Sequence, residues 1–497
     1  MEKGRTAVGE MAVLTPHSAS ASADTRDVPL VVDLDETLVR TDSTIESLFV
    51  LIRHEPIRLL GMPIWLRRGL AHFKQRLNET VMPDVHTLPF RADLVDFLRE
   101  QRRQGRYLVL ATGADMKLAQ AVAGETGLFD RVIASDGAIN LVGDKKRERL
   151  VAEFGQRRFD YVGGRRRDYP VWCAARKAWM VSASPRLVRD VAKVTPVEAS
   201  FDRDPTTLGD VFHELRALHW VKNVLVLLPV AAANGLLAPT GLGRALLAFV
   251  AFSLWASSVY LLNDLLDLPI DRQHPQKRDR RLASGQIRPA DALALLMMLL
   301  ASAAALSLYL SAAFFGISAA YFLMMMAYSV RLKDIPLLDV LVLSGGYALR
   351  VVAGEVATNI SLSPWVLAFV ILLFSSFTLV KRCAELVRID SRGEAEPPRV
   401  CGYLAGDTGI LTAQGIAGGY LAVLVFAMYT NSEAMQIAYP RHELFWGVCG
   451  LLLYWINYLW LMVARGRMHH DPVIFAFADP VSRWLLAAMA VTAALTL

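Results

Sequence analysis

Asp33-Leu34-Asp35-Glu36-Thr37 sets two carboxylates two positions apart at the end of the apolar run Pro29 to Leu34. A buried strand ending there would bring both side chains together where the backbone turns toward solvent. Such a pair can divide the work of nucleophile and general acid or base around Mg2+. An ordinary acidic turn is the alternative, since carboxylates collect in loops. A second acidic series, Asn263-Asp264, Asp267 and Asp271, precedes His274-Pro275 and a basic stretch through Arg281. Spacings of three and four put positions 264, 267 and 271 on one face of a helix. Drawing each carboxylate into an apolar medium costs roughly 2.5 kcal/mol or more, and three together repel. A divalent cation removes that conflict, and Mg2+ held there can grip a diphosphate and neutralise it as it departs. A polar stop after an apolar span is the alternative.

Six cations stand at or near the ends of apolar stretches or inside them: Lys222, Arg331, Lys333, Arg350, Lys381 and Arg382. Any one rim cation reads first as a snorkelling side chain. As a group opposite three carboxylates they suggest a polyanion site. Arg350, with Asp339 and Glu355, interrupts an otherwise apolar segment and needs a partner or a wet cavity. His469-His470-Asp471 reads as a solvated loop, because no second ligand set accompanies it.

Two unlike modules must position these groups. Charged residues are dense up to about residue 217 and absent from long stretches beyond it. A leader over 1–28 precedes a module over 29–190. Its apolar runs at 29–34, 107–110, 131–134, 159–162 and 178–181 alternate with helical spacing, as in a doubly wound α/β sheet. A helical insert over about 44–90 would cap the strand ends. Its Arg53, Arg58, Arg67, Arg68, Lys74 and Arg76 read as a solvated basic face, with anionic lipid as the alternative contact. Residues 191–215 read as a linker. From 216 to 497 nine apolar stretches begin near 220, 245, 290, 312, 336, 363, 409, 443 and 480, each close to the ~20 residues that cross a bilayer.

Composition agrees with that division, since 54% of the 497 residues are hydrophobic and 20% charged. The net charge of +6 suits anionic head groups or phosphorylated substrates in a chain with membrane spans, and nucleic acid is not expected. Lys and Arg collect in alternate loops, around 271–288, 331–333, 381–399 and 465–467. With nine crossings those loops and the first module lie on the cytoplasmic side of an inner (plasma) membrane. The four cysteines lack metal-ligand spacing and read as packing residues.

Asp33 and Asp35, Thr112 after the second strand, Lys146 at a basic helix start and Asp168 after the fourth together resemble the haloacid dehalogenase superfamily of phosphatases over roughly 28–190. The resemblance implies that Asp33 attacks a phosphoryl group and Asp35 protonates the leaving oxygen. Thr112 and Lys146 would hold phosphate, with Lys145 the competing lysine, and Asp168 would join Asp33 and Asp35 at Mg2+. Gly164 departs from the pattern, standing where the family often has an acidic residue.

The aspartate series and the nine stretches resemble the UbiA superfamily of intramembrane prenyltransferases. Trp220-Val221-Lys222-Asn223, His274-Pro275-x-Lys277, Tyr328-Ser329-x-x-Leu332-Lys333, Gly346-x-x-Leu349-Arg350-x-x-Ala353-Gly354 and Lys381-Arg382-x-Ala384-Glu385 place it nearer the branch of decaprenyl-phosphate phosphoribosyltransferases. That likeness implies an all-α bundle of nine transmembrane helices. It also implies transfer of 5-phosphoribose from phosphoribosyl diphosphate to a polyprenyl phosphate. Asp264, Asp267 and Asp271 would hold Mg2+, while Asn263, Lys277 and the six cations bind substrate. The first module would then dephosphorylate the product. The alternative is a prenyltransferase joining an allylic diphosphate to an aromatic or other acceptor, with a non-catalytic first module.

Overall fold

The computed structural model describes residues 27–201, 209, 215–232, 239–274, 277–390, 401–468 and 471–496. Most of the expected leader, 1–26, and His469 and His470 lie outside them. The chain divides into two compact units, one of residues 1–211 with 264–294, the other of 212–263 with 295–497.

In the first unit, four short apolar runs, those of the first, second, fourth and fifth strands, become fully buried strands because both of their faces are covered. β1 (Leu30–Val32), β2 (Leu108–Asp115), β3 (Arg131–Ser135), β4 (Asp160–Gly163), β5 (Ala178–Val181) and β6 (Val197–Phe201) pair in parallel in the order 3-2-1-4-5-6. One core lies around Leu30, Val32, Leu98, Leu110 and Leu118, and the other around Val31, Val109, Tyr161 and Trp172. After β3 the chain crosses to the opposite side of β1, so the order reverses between β1 and β4. Such a switch point leaves a crevice outside the carboxyl ends of the two strands. The stretch expected to be linker supplies β6, whose half-exposed edge position gives it no continuous apolar run.

Among the described residues seven helices, all but the first two wholly within the second unit, are long and apolar enough to cross a membrane: Gly241–Leu266, Pro289–Leu310, Ala312–Val330, Leu338–Thr358, Pro364–Arg388, Ala405–Thr430 and His442–Ala464. An eighth arises if Pro472–Ala478 and Pro480–Ala494, bent by 89°, count together. The expectation of nine regular spans is thus corrected at both ends. At the last, Asp479 caps a fresh helix by accepting from the Ser482 amide, and Pro480 cannot continue the previous one. At the first, Ala217–Leu227 winds as a 3-10 helix before the short helix Leu228–Ala232. Gly354 allows that geometry, since a Cβ there would collide with the Val226 carbonyl.

Candidate functional site

The crevice at the β1–β4 switch gathers the acidic residues that the sequence places at strand ends. Asp33 follows β1 and accepts from Lys146 Nζ at 2.8 Å. Lys146 comes from the helix Asp144–Phe154, also donates to the Tyr161 hydroxyl at 3.1 Å, and lies 3.7 Å from Asp168. Tyr161 in turn donates to Asp168 at 3.1 Å. Of the two candidate lysines, Lys146 is buried while Lys145 faces solvent. Burial pulls the Lys146 ammonium down, but Asp33 and Asp168 outweigh it and hold it above its ordinary value. Asp35, which accepts from the Ser43 amide at 2.8 Å, is pushed up to about 7 by burial and by Asp42. Burial and Asp33 likewise raise Asp168 to about 6.

This network can supply a nucleophile in Asp33 and a proton donor in Asp35. Thr112 is placed differently from expectation, for its hydroxyl accepts from the Ala114 amide at 3.0 Å, and Gly113 lines the cavity instead. Gly164 leaves no room for the missing acid, because a Cβ there would press into the Val181 carbonyl oxygen.

Residues 264–294 belong to the same unit as the sheet, and there the expected carboxylate cluster is not formed. The long helix ends at Leu266, Asp267 starts a short helix Leu268–Gln273, and the common face is lost. Arg280 joins Asp264 at 3.1 Å and Asp271 at 2.7 Å, with Lys277 3.5 Å from Asp271. Asp267 pairs instead with Arg53 of the helix Ser43–His54. Arg272 pairs at 2.6 Å with the buried Glu46, and Arg288 at 3.2 Å with Glu36. Among the described residues no three acidic, histidine or cysteine side chains are grouped to hold a metal, in the crevice or here. The donors have the right chemistry for Mg2+, but as arranged they are engaged by guanidinium and ammonium groups and do not form its site.

The second unit holds a cavity of about 250 Å³. Its wall includes Arg216, Lys222, Arg350 and Lys381, with Asp471 as the sole carboxylate among the described residues on it. Lys222 donates to Asp471 at 2.7 Å. Arg350 is buried and donates to Asn223 at 2.8 Å, the Gly346 carbonyl at 2.7 Å and the Tyr321 hydroxyl at 2.9 Å. None of those partners is charged. The rings of Tyr321, Tyr347 and Phe252 lie 4.8, 5.2 and 5.4 Å from its guanidinium carbon. A cation held this way in a membrane bundle is rigid and positively biased, and an anionic ligand relieves the cost of its burial.

Three expected residues, Lys222, Arg350 and Lys381, thus share this cavity, and Asn263 joins them on its wall. Arg331 and Lys333 do not line it. Nor does Arg382, which is buried and bonded to Asp339 at 2.8 Å, Glu385 at 2.9 Å and Tyr328 at 2.7 Å, so its charge is already answered. The sequence reading missed Arg216, His219 and the tyrosines 260, 321, 328 and 347, and it gave Asp471 to solvent. A polar aromatic recurring on three apolar helices was the available signal.

Known proteins resemble this chain over its whole length and over the helical part separately. The uncharacterized protein y4nM of Sinorhizobium fredii is 31% identical over 474 residues, covering 94% of this chain and 90% of that one. A decaprenyl-phosphate phosphoribosyltransferase of Mycobacterium tuberculosis is 38% identical over 194 residues, 38% of this chain and 64% of the relative. A solved UbiA homolog from Archaeoglobus fulgidus, bound to GPP and Mg2+, aligns with 57% of this chain and 99% of its own at 16% identity and a TM-score of 0.44. The model of the UbiA prenyltransferase family matches residues 225–479. With half of its length so matched, the chain belongs to the UbiA prenyltransferase family.

Proposed function

We propose that the helical unit transfers 5-phosphoribose from phosphoribosyl diphosphate to a polyprenyl phosphate, and that the sheet domain then removes the 5-phosphate from the lipid product. The observation that carries the transfer is the charge of the helical cavity, four cationic side chains against one carboxylate among the described residues, inside an apolar bundle. An allylic prenyl donor brings one diphosphate, whereas the proposed pair brings a diphosphate, a sugar phosphate and a lipid phosphate. Guanidinium and ammonium groups suit those oxygens. In the transfer, a lipid phosphate oxygen bonds to C1 of the ribose as the bond from C1 to the diphosphate oxygen breaks. The acceptor is already an anion and needs no strong base.

Hydrolysis follows the superfamily resemblance. Asp33 attacks phosphorus, the ester P–O bond breaks, and Asp35 gives its proton to the departing alkoxide. Water then releases inorganic phosphate from Asp33. The raised Asp35 supports the role of acid, since it retains its proton near neutrality.

A nine-crossing topology also belongs to this proposal. The sheet and residues 264–294 form one unit and so lie on one face of the membrane. The stretch Ala217–Ala232 would then cross toward the far end of the helix Pro239–Leu266. Eleven 3-10 residues at about 2.0 Å each, with five α-helical residues at about 1.5 Å each, span roughly 30 Å, the thickness of the hydrocarbon core. Four alternate basic loops support a cytoplasmic position for the sheet domain.

The test is mass spectrometry of lipid made by the purified protein from phosphoribosyl diphosphate and polyprenyl phosphate. Polyprenyl-phosphoryl ribose is the expected product. A prenylated aromatic made from an allylic diphosphate, with no ribosylated lipid, would establish the alternative.

A further inference from the structure

The cavity at the switch point contains a cation that the superfamily pattern does not account for. Lys74 lies on the helix Leu70–Thr80, inside the segment expected to cap the strand ends. Phe73 and Leu77 bury one side of that helix, and Asn78 accepts from Ser47 at 2.7 Å, which ties it to the helix Ser43–His54. The same packing turns Lys74 inward, onto the cavity wall beside Asp33, Asp35, Lys146 and Asp168. Its Nζ donates to the Gly113 carbonyl at 2.6 Å and to Asn140 at 3.3 Å, both neutral oxygens. Lys146, by contrast, is committed to Asp33 and Asp168. Arg167 stands on the same wall, exposed toward solvent.

The closed cavity is about 10 Å³, room for about one water molecule. A phosphoryl group therefore needs the wall to open, and where the Lys74 contact to Gly113 is released its ammonium needs a new acceptor. An anion bound there gives a stronger, charge-assisted bond than the carbonyl it replaces.

We propose that Lys74 is a specificity residue that selects, for this hydrolase site, phosphomonoesters carrying a second anionic group. The inference rests on the hydrolase reading above and narrows its substrate class. A sugar bearing a phosphomonoester at one end and a phosphate ester at the other meets the requirement. Hydrolysis is unchanged in its balance: the oxygen of water ends on phosphorus, the ester P–O bond breaks, and the sugar hydroxyl takes the proton.

The full-length protein is assayed for phosphate release from ribose 1,5-bisphosphate and from ribose 5-phosphate. Lys74→Gln keeps a donor for Gly113 without the charge, and Lys74→Arg keeps the charge. We expect Lys74→Gln to lower kcat/KM about thirtyfold for the bisphosphate and under about threefold for the monophosphate. Lys74→Arg should recover most of the preference. Equal losses on both substrates would overturn the role of Lys74 while leaving the hydrolase reading intact. No phosphate release by the wild-type protein from either would overturn that reading and this inference together.

Discussion

The two cavities treat charge in opposite ways. In the sheet domain, Asp33 and Asp168 share Lys146, and Asp35 takes the Ser43 amide, so the carboxylates are met by groups of the chain itself. In the helical unit, Arg350 is met by a carbonyl, an amide and a phenol, and its positive charge is left over. The first arrangement holds reactive groups at tuned protonation states, as a site needs when it brings its own nucleophile. The second holds a fixed positive field, as a site needs when nucleophile and leaving group both arrive on phosphorylated substrates. Under the proposed function, one site performs chemistry with its side chains and the other by placing its substrates.

That contrast is broken most directly by Asp33→Asn. Loss of the nucleophile should lower phosphate release by about 10³-fold or more while lipid ribosylation continues, so the phosphorylated lipid accumulates. Equal loss of both products would mean the two reactions share a site. Arg350→Met should do the reverse. Transfer should fall by about 10²- to 10³-fold, as expected for removing a preorganised charge, with release from a soluble phosphomonoester intact. Arg350→Lys keeps the charge but cannot reach Asn223, Gly346 and Tyr321 together, so it should remain well below wild type.

The aspartate series sharpens the comparison, because it is acidic like the first cavity and, like it, met by cations of the chain itself. If Asp264, Asp267 and Asp271 receive a divalent cation, Arg280 and Arg53 must release them. Arg280→Gln should then raise Mn2+ affinity several-fold by titration. In that case removal of divalent cations with EDTA should stop transfer. Unchanged Mn2+ affinity in Arg280→Gln, in an Asp33→Asn background that disables the other candidate site, would point to a route in which the guanidinium stays.

What could be read from residue order follows the range of the forces involved. Asp33, Asp35 and Asp168 were visible because each follows an apolar run, and a parallel sheet brings the carboxyl ends of its strands to one edge. Lys222, Arg350 and Lys381 were visible because charge inside or beside a span is costly. Lys74 was not, since its helix carries basic residues at intervals that match a solvated face, and only packing of Phe73 and Leu77 turns it inward. Arg382 looked like a ligand because its partners, Asp339 and Tyr328, are 43 and 54 positions away. Asp267 left the expected face because the helix breaks beside it, where Pro269 lacks an amide hydrogen for the ladder. The cavity tyrosines come from three helices and converge only in the folded bundle.

Gly164→Asp is the natural attempt to restore the superfamily pattern, and it should fail. The added Cβ presses on the Val181 carbonyl, a backbone atom in the sheet, so the strand must shift to admit it. A loss of about 1–3 kcal/mol is expected from overpacking, read as a lower Tm, with no gain in hydrolysis. Higher activity at unchanged Tm would show that the crevice is wider than its geometry indicates.

The smallest expected effect concerns pH in metal-free protein. Asp35 stands at about 7 and Asp168 at about 6 in the folded sheet domain, both above the ordinary 3.8. A carboxyl raised by folding binds its proton more tightly when folded than when unfolded, so unfolding costs most below about pH 4, where both states are protonated. That stability is lost as pH rises through 6 and 7. Hydrogen exchange of β1 and β4 in EDTA should therefore accelerate from pH 4 to 7 beyond the intrinsic dependence of amide exchange. Because Asp33 helps raise both groups, Asp33→Asn should flatten the profile. A profile that slows with rising pH after that correction would mean the two carboxylates are stabilised in their charged forms, contrary to the burial and mutual repulsion found in the first cavity.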